Sequence, residues 1–268
     1  MNCSLCISTY NWPEALRTCL ETVLKQTVLP GEIIIADDGS GDETRVLIEA
    51  FKSICPVPLK HCWQPDEGFR KTAILNQAFA MATFPLIITI DGDVMLHENF
   101  IADHLRVAKK GRFVCGSRVL MNETLTKKMM LAAGETTPPL FSRNIKKWYN
   151  GIHQPFYAFI NRFLQRSVKG YRYALGCNMA IWKDDLIKVN GHNESFTGWG
   201  KEDNDLAIRL MNAGVQLRFL KFGGIVYHMH HQQSAMTKLK SNEQLHLQSI
   251  RRKITYVEKG MNQYMLTP

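Results

Sequence analysis

Residues 85–93 read PLIITIDGD: an apolar run opened by a proline and closed by two aspartates around a glycine. A run of this length, without polar alternation and bounded by turn residues, predicts a strand buried on both faces. Working back toward the N-terminus, EIIIADDGS (32–40), VPLKHCWQ (57–64) and CSLCIST (3–9) are further strands. Between them, PEALRTCLETVLKQT (13–27), with Pro13 in its first turn, DETRVLIEAFKSI (42–54) and KTAILNQAFAMA (71–82) predict helices. Strand and helix alternate, so the expected fold class is α/β, with a mostly parallel sheet carrying helices on both faces. Residues 72–90 hold no charge, but Asn76, Gln77 and Pro85 divide them into helix and strand rather than a membrane span.

Sheets of this kind bind ligands beyond the carboxyl ends of their strands. Three such ends are polar here: Ser8-Thr9-Tyr10-Asn11, Asp37-Asp38-Gly39-Ser40 and Asp91-Gly92-Asp93. Three in succession describe one crevice. The second half is less regular. RFVCGSRVLM (112–121), YRYALGCNMAIW (171–182) and LRFLKFGGIVYHM (217–229) predict strands, and a basic helix is expected from about Asn242 to Glu258. No linker separates the halves, so residues 1–268 are expected to form one domain, and no secretory signal is read at its start.

The chain has 268 residues, 45% of them hydrophobic, and a formal charge of +9. That excess predicts a polyanionic partner or substrate. Seven cysteines form no disulfide framework. Cys3 and Cys6 lie three apart on a strand and point to opposite faces, so buried free thiols in a reducing cytosol are expected.

Several motifs carry chemistry. Asp91 and Asp93 leave a strand on the same side, which suits Mg2+ or Mn2+ bound with a diphosphate, and Gly92 permits close backbone approach. An acidic turn is the plain alternative. Asp37-Asp38-Gly39-Ser40 is either a turn with Ser40 or Asp42 as helix N-cap, or a site where Asp38 accepts a hydrogen bond from a nucleobase imide, with Thr9 and Tyr10 bordering the base. His228-Met229-His230-His231 follows a strand, and imidazole there favours Mn2+ over Ca2+. His228 and His231 are the chosen ligands. Glu67-Gly68-Phe69-Arg70-Lys71 opens a helix and is either an anion site, with Lys71 as its cation, or a solvated turn. In GWGKEDNDLAIRL (198–210), Asp205 and Arg209 are expected to pair on the outer face, opposite Leu206, Ala207 and Leu210. Asp203 falls on the inward stripe, costly for a carboxylate without a task. Residues 143–172 contain seven cations, no acid and many aromatics. Anionic lipid headgroups or an acceptor fit that segment better than nucleic acid, for which no binding motif is present, and a solvated face remains an alternative.

Taken together, STYN, ADDGS, IDGD and GWGKED resemble the GT-A glycosyltransferases. The first three resemble the inverting family two. GCNMAIWKDDLIKVNGHNESFTGWGKEDNDLAIRL (176–210) is similar to the signature of chondroitin-polymerase-type enzymes and animal β-1,4-galactosyltransferases. The resemblance implies a UDP-sugar donor, with Asp38 at the uracil, Thr9 and Tyr10 beside it and Asp91 near the ribose or sugar. It implies Mn2+ or Mg2+ held by Asp93 with His228 and His231, although the galactosyltransferases have methionine at the first of these and His230 could replace either. Asp203 would be the catalytic base, and Glu202 and Trp199 would contact the acceptor. Residues 1–95 would bind the nucleotide-sugar, 96–235 the acceptor and metal, and 236–268 form a basic extension. The implied reaction moves a hexose or N-acetylhexosamine, with inversion, to a glycan hydroxyl. The expected setting is a lipopolysaccharide core or capsule acceptor, lipid-linked, at the inner face of the cytoplasmic membrane. A nucleotidyltransferase would want a Gly- and Lys-rich loop where this chain has STYNWPEA. A non-catalytic binding module would leave Asp203 and the DGD without work.

Overall fold

The computed structural model describes residues 1–132, 137–157, 170, 174–232 and 238–265. In chain order its elements are β1 (Cys3–Thr9), α1 (Pro13–Leu24), β2 (Glu32–Asp37), α2 (Asp42–Ile54), β3 (Leu59–Trp63), α3 (Lys71–Met81), β4 (Leu86–Asp91), β5 (Val94–Leu96), α4 (Phe100–Val107) and β6 (Arg112–Cys115). There follow β7 (Ser117–Met121), α5 (Glu123–Leu131), β8 (Ile145–Lys146), β9 (Met179–Trp182), α6 (Lys183–Val189), α7 (Glu202–Asn212), β10 (Gln216–Phe219), β11 (Ile225–His228) and α8 (Leu239–Arg251).

The main sheet has seven strands in the order β10-β6-β9-β4-β1-β2-β3. Only β9 runs against its neighbours. The expected mostly parallel α/β sheet is therefore present. Burial alternates along each central strand. Leu5, Ile7, Ile33, Ile35, Ile88 and Ile90 pack with Leu16, Leu20, Phe51 and Phe100 on one face. Cys6, Ile34, Ala36 and Ile87 pack with Ile74, Phe79, Leu206 and Leu210 on the other. Helices cover both faces, which is why the strand sequences show no polar alternation. The thiols of Cys3 and Cys6 fall on opposite faces, and all seven cysteines are free.

Two expected strands are each broken in two. Residues 112–121 form β6 and β7, and residues 217–229 form β10 and β11. β6 and β10 pair in the main sheet, whereas β7 and β11 pair in a second sheet of order β5-β11-β7-β8. Both chains leave the main sheet at one point. A Cβ on Gly116 would lie 2.3 Å from the carbonyl oxygen of Gly224, so the crossing needs a glycine. The buried Asn178 amide donates to the carbonyls of Ser117 and Gly224, satisfying groups that the broken ladder leaves over. The expected strand 171–182 is shorter: β9 begins at Met179, and residues 171–173 lie outside the described residues. The C-terminal helix starts and ends earlier than expected, at Leu239 and Arg251.

The Asp205–Arg209 pair forms, at 2.7 Å, but both side chains are fully buried rather than on an outer face. α8 covers that side of α7: Ser249 donates to Asp205, while Arg209 donates to the carbonyls of Val189 and Gly191. Helical periodicity reports one buried stripe. It does not reveal that a second element covers the other.

Candidate active site

The strand register brings the polar ends together. Ser8 lies opposite Asp91 of β4, and Thr9 lies opposite Asp37 of β2. Above that edge, the N-terminus of α7 and the end of β11 close an open cleft of about 1780 Å³. All the residues singled out as site candidates line it: Thr9, Tyr10, Asp38, Lys71, Asp91, Asp93, Trp199, Glu202, Asp203, His228 and His231.

Asp91 and Asp93 take different partners. β4 ends at Asp91, which accepts from Ser8 at 2.8 Å and from the Lys71 ammonium at 2.5 Å. Gly92 donates its N–H to the Ser8 carbonyl, and a Cβ there would lie 3.0 Å from that oxygen. The close approach served by this glycine is to β1. Asp93 faces the histidines instead. Its carboxylate is 3.1 Å from His231 Nε2 and 3.6 Å from His228 Nε2, and one ligand atom from each of the three residues lies within 4.8 Å of the others. Both imidazoles bond a backbone carbonyl through Nδ1, at 2.8 Å, which leaves Nε2 to turn toward Asp93. Asp93 Oδ1 is buried without a hydrogen-bond partner. One carboxylate and two imidazoles with an unpartnered buried oxygen fit a divalent ion such as Mn2+. His230 is not in this group; its backbone N–H donates to Thr126 Oγ1. The hydrogen bond to Asp93 pushes the His231 imidazole up to about 9, so ion binding there would displace a proton.

The turn into α7 explains GWGKED. Gly198, Gly200 and Lys201 all have left-handed backbone, with φ of 71°, 113° and 73°. Glu202 accepts from the Gly200 N–H, and Trp199 stands half-buried at the cleft wall. Asp203 Oδ2 accepts from the Gly176 N–H at 2.9 Å, while Oδ1 is buried and unpartnered. A Cβ on Gly176 would meet both carboxylate oxygens at 2.3 Å. Burial pushes the Asp203 carboxyl up, and Lys71 opposes the shift. Burial and the neighbouring Asp203 charge push Glu202 up to about 7. Burial works against the Lys71 ammonium, but Asp91, Asp203 and Glu202 together hold it charged.

At the other end, Asp38 accepts from the Gln64 amide and from the Arg70 N–H, and burial pushes its carboxyl up. Gly68 donates to Asp66, whose carboxylate also accepts from Tyr10. The N–H groups of Gly68 and Arg70, just before α3, are thus engaged by the chain's own acids, which takes two of the donors considered for an anion site there. Lys71 turns instead to Asp91. Of the basic aromatic segment, Arg143 and Lys146 line the cleft, and Trp148, Tyr149, Phe156 and Tyr157 are exposed. Arg162, Arg166, Lys169, Arg172, Phe159 and Phe163 lie outside the described residues. Of three further cleft residues, Arg118 carried no signal in the sequence, while Ser8 and Gly176 stood inside quoted motifs without a role of their own. Each acts across a contact between segments distant in the chain.

The family described as Glycosyl transferase family 2 matches residues 4–169, and that described as the N-terminal domain of galactosyltransferase matches residues 158–232. Validoxylamine A glucosyltransferase of Streptomyces hygroscopicus subsp. limoneus is 25% identical over 80% of this chain and 49% of its own length. Chondroitin synthase of Escherichia coli is 25% identical over 84% of this chain and 34% of its own. The chain therefore spans about half or less of these relatives. Among solved structures, S. aureus TarS 1–349 in complex with UDP superposes with a TM-score of 0.65 at 14% identity, over 99% of this chain and 70% of that one. The mannosyltransferase PcManGT from Pyrobaculum calidifontis, in complex with GDP-Man and Mn2+, gives 0.60 at 14% identity, over 93% and 64%. At these identities the likeness shows a shared GT-A fold. No helix among the described residues is long and apolar enough to cross a membrane.

Proposed function

The chain belongs to glycosyl transferase family 2, and on that premise we propose that it is a metal-dependent, inverting glycosyltransferase. It moves a hexose or N-acetylhexosamine from a UDP-sugar to a hydroxyl of a glycan acceptor. Asp203 carries this assignment: a carboxylate with one oxygen pinned and the other unpartnered shares a cleft with Lys71, Asp91 and the Asp93–His228–His231 cluster. UDP in the TarS structure and Mn2+ in the mannosyltransferase structure support a nucleotide-sugar and this class of ion. The chondroitin synthase relatives put glycan polymers among the acceptors to test, bacterial surface polymers included.

Asp38, Thr9 and Tyr10 hold the nucleobase end of the donor, and Asp91 holds the ribose or sugar. Asp93, His228 and His231 would hold a divalent ion, which would supply positive charge for the departing diphosphate. Asp203 Oδ1 takes the proton of the acceptor hydroxyl as that oxygen attacks the anomeric carbon. The Gly176 N–H keeps Oδ2 in place, so the base does not rotate away. Lys71 balances the acids on the cleft floor and opposes the upward shift of Asp203 and Glu202. Glu202 bonds a hydroxyl of the bound sugars, and Trp199 offers its flat face to a sugar ring. Attack and departure occur on opposite faces of one carbon, so the product is inverted and one carboxylate base suffices.

The test is release of UDP from UDP-glucose, UDP-galactose and their N-acetylamino forms in the presence of Mn2+. Asp203→Asn should bind UDP normally and lose turnover by about 100- to 10,000-fold, the range for a general base. Unchanged turnover in that variant would remove Asp203 as base, and failure to bind any nucleotide would overturn the enzyme itself.

A further inference from the structure

The second sheet builds one wall of the cleft. Arg118 of β7 sits opposite Val226, Leu120 opposite His228, and Lys146 of β8 opposite Leu120. Residues paired across strands, or two apart along one, share a face. Arg118, Leu120, Lys146 and His228 therefore stand together, and all four line the cleft. At about 4.8 Å per strand, Lys146 lies roughly 10 Å from His228, on the side away from β5.

Arg118 is short of partners. A guanidinium offers five N–H donors. Nη1 reaches only the Cys177 sulfur, at 3.8 Å, and Nε is buried with no partner. Burial pushes the Cys177 thiol up to about 12, so this acceptor is a neutral sulfur. A cation left half-satisfied at a protein wall is costly unless a ligand completes it. Among the described residues neither Arg143 nor Lys146 has an ion-pair partner, and both are exposed along the same wall. The nearby acid of that wall, Glu123, is already bound to Lys127 at 2.7 Å. The wall is cationic, whereas the floor with Asp91, Asp93, Glu202 and Asp203 is acidic.

We propose that this wall is an anion subsite for the acceptor: the acceptor glycan carries a carboxylate or phosphate, which Arg118 binds in its fork while Lys146 and Arg143 add charge. This rests on the glycosyltransferase function proposed above and narrows its substrate class. The planar fork matches both anions in bidentate geometry, and a neutral sugar leaves it unfilled. Arg118 also lies close enough to Asp203 to favour its ionised form. A ligand anion that screens Arg118 raises the proton affinity of the base when the acceptor is bound.

The protein loaded with UDP and Mn2+ is titrated calorimetrically with three disaccharides. One ends in glucuronate, one is its carboxyl-reduced glucose form, and one is the 6-phosphate of that glucose form. At least one anionic sugar should bind about 10-fold or more tightly than the neutral one, and Arg118→Gln should abolish that difference. The preferred anion identifies the group. Equal binding of all three, binding of none, or discrimination surviving in Arg118→Gln overturns the subsite. Loss of UDP affinity in Arg118→Gln also overturns it, by assigning the residue to the donor diphosphate. Should Arg118→Gln not fold, Arg143→Gln with Lys146→Gln, both on the surface, should weaken the anionic sugar about threefold or more and leave the neutral one unchanged. No change for the anionic sugar in that variant counts against the subsite. Failure of the parent protein to bind UDP is a separate result, which strikes the function and not the subsite.

Discussion

Arg209→Met strands a carboxylate. In the folded protein Arg209 donates to Asp205 Oδ2 at 2.7 Å and to the carbonyls of Val189 and Gly191 at 2.8 Å each, with both side chains of the ion pair fully buried. Methionine fills most of the space but supplies none of the donors. Asp205 then keeps one bond, from Ser249, and two buried carbonyls lose theirs. Breaking a buried pair from one side costs about 3–5 kcal/mol. With an unfolding entropy of about 2.1 cal/mol/K per residue over 268 residues, a loss of about 4 kcal/mol lowers Tm by roughly 7 °C. Scanning calorimetry reads the shift directly. The double variant Asp205→Leu with Arg209→Met should recover part of the loss, because an apolar pair leaves no stranded charge. A fall in Tm of less than about 2 °C for Arg209→Met would refute the account, since it would mean that water or a local shift satisfies Asp205 once the arginine is gone.

Gly176→Ala should cut turnover by about 100-fold or more while changing Tm little, because the new methyl occupies the place of the Asp203 carboxylate; UDP release and calorimetry together check it. The acid limb of the pH–rate profile should fall as pH drops through about 7, where the Glu202–Asp203 pair takes up a proton. Glu202→Gln should move that limb to lower pH whatever it does to the plateau; a limb unmoved in this variant would assign the proton elsewhere. His192 and His104 are buried, and desolvation depresses them to about 3 and about 4, below the 6.5 of the unfolded chain. The unfolded state therefore binds more protons at acid pH. Stability is full above pH 6.5 and declines as pH falls from there toward 4, with a slope approaching about 1.4 kcal/mol per pH unit for each histidine. His192→Phe, if it folds, should flatten part of that slope in urea titrations at pH 7, 6 and 5.

Much of the fold and of the candidate site is legible in local sequence. Strands such as LIITI and EIIIAD announce full burial by lacking alternation, and their parallel order places DDGS, DGD and STYN at one edge. The three-residue step from His228 to His231, and the glycines around Trp199, are equally local. What could not be read depends on contacts between segments far apart. Gly116 and Gly224 are unremarkable in sequence until their backbones touch and send two strands into a second sheet. Asp205 and Arg209 read as an outer pair because their covering helix begins only at Leu239, far along the chain. Asp38 meets the start of α3, Gly176 makes room for Asp203, and Arg118 comes to stand in the cleft wall, all through tertiary packing. Hydrophobic period and turn chemistry act over a few residues and are written into the chain directly. Which polar groups end up sharing a dry space is decided by the chain's return path, and only the folded backbone records it.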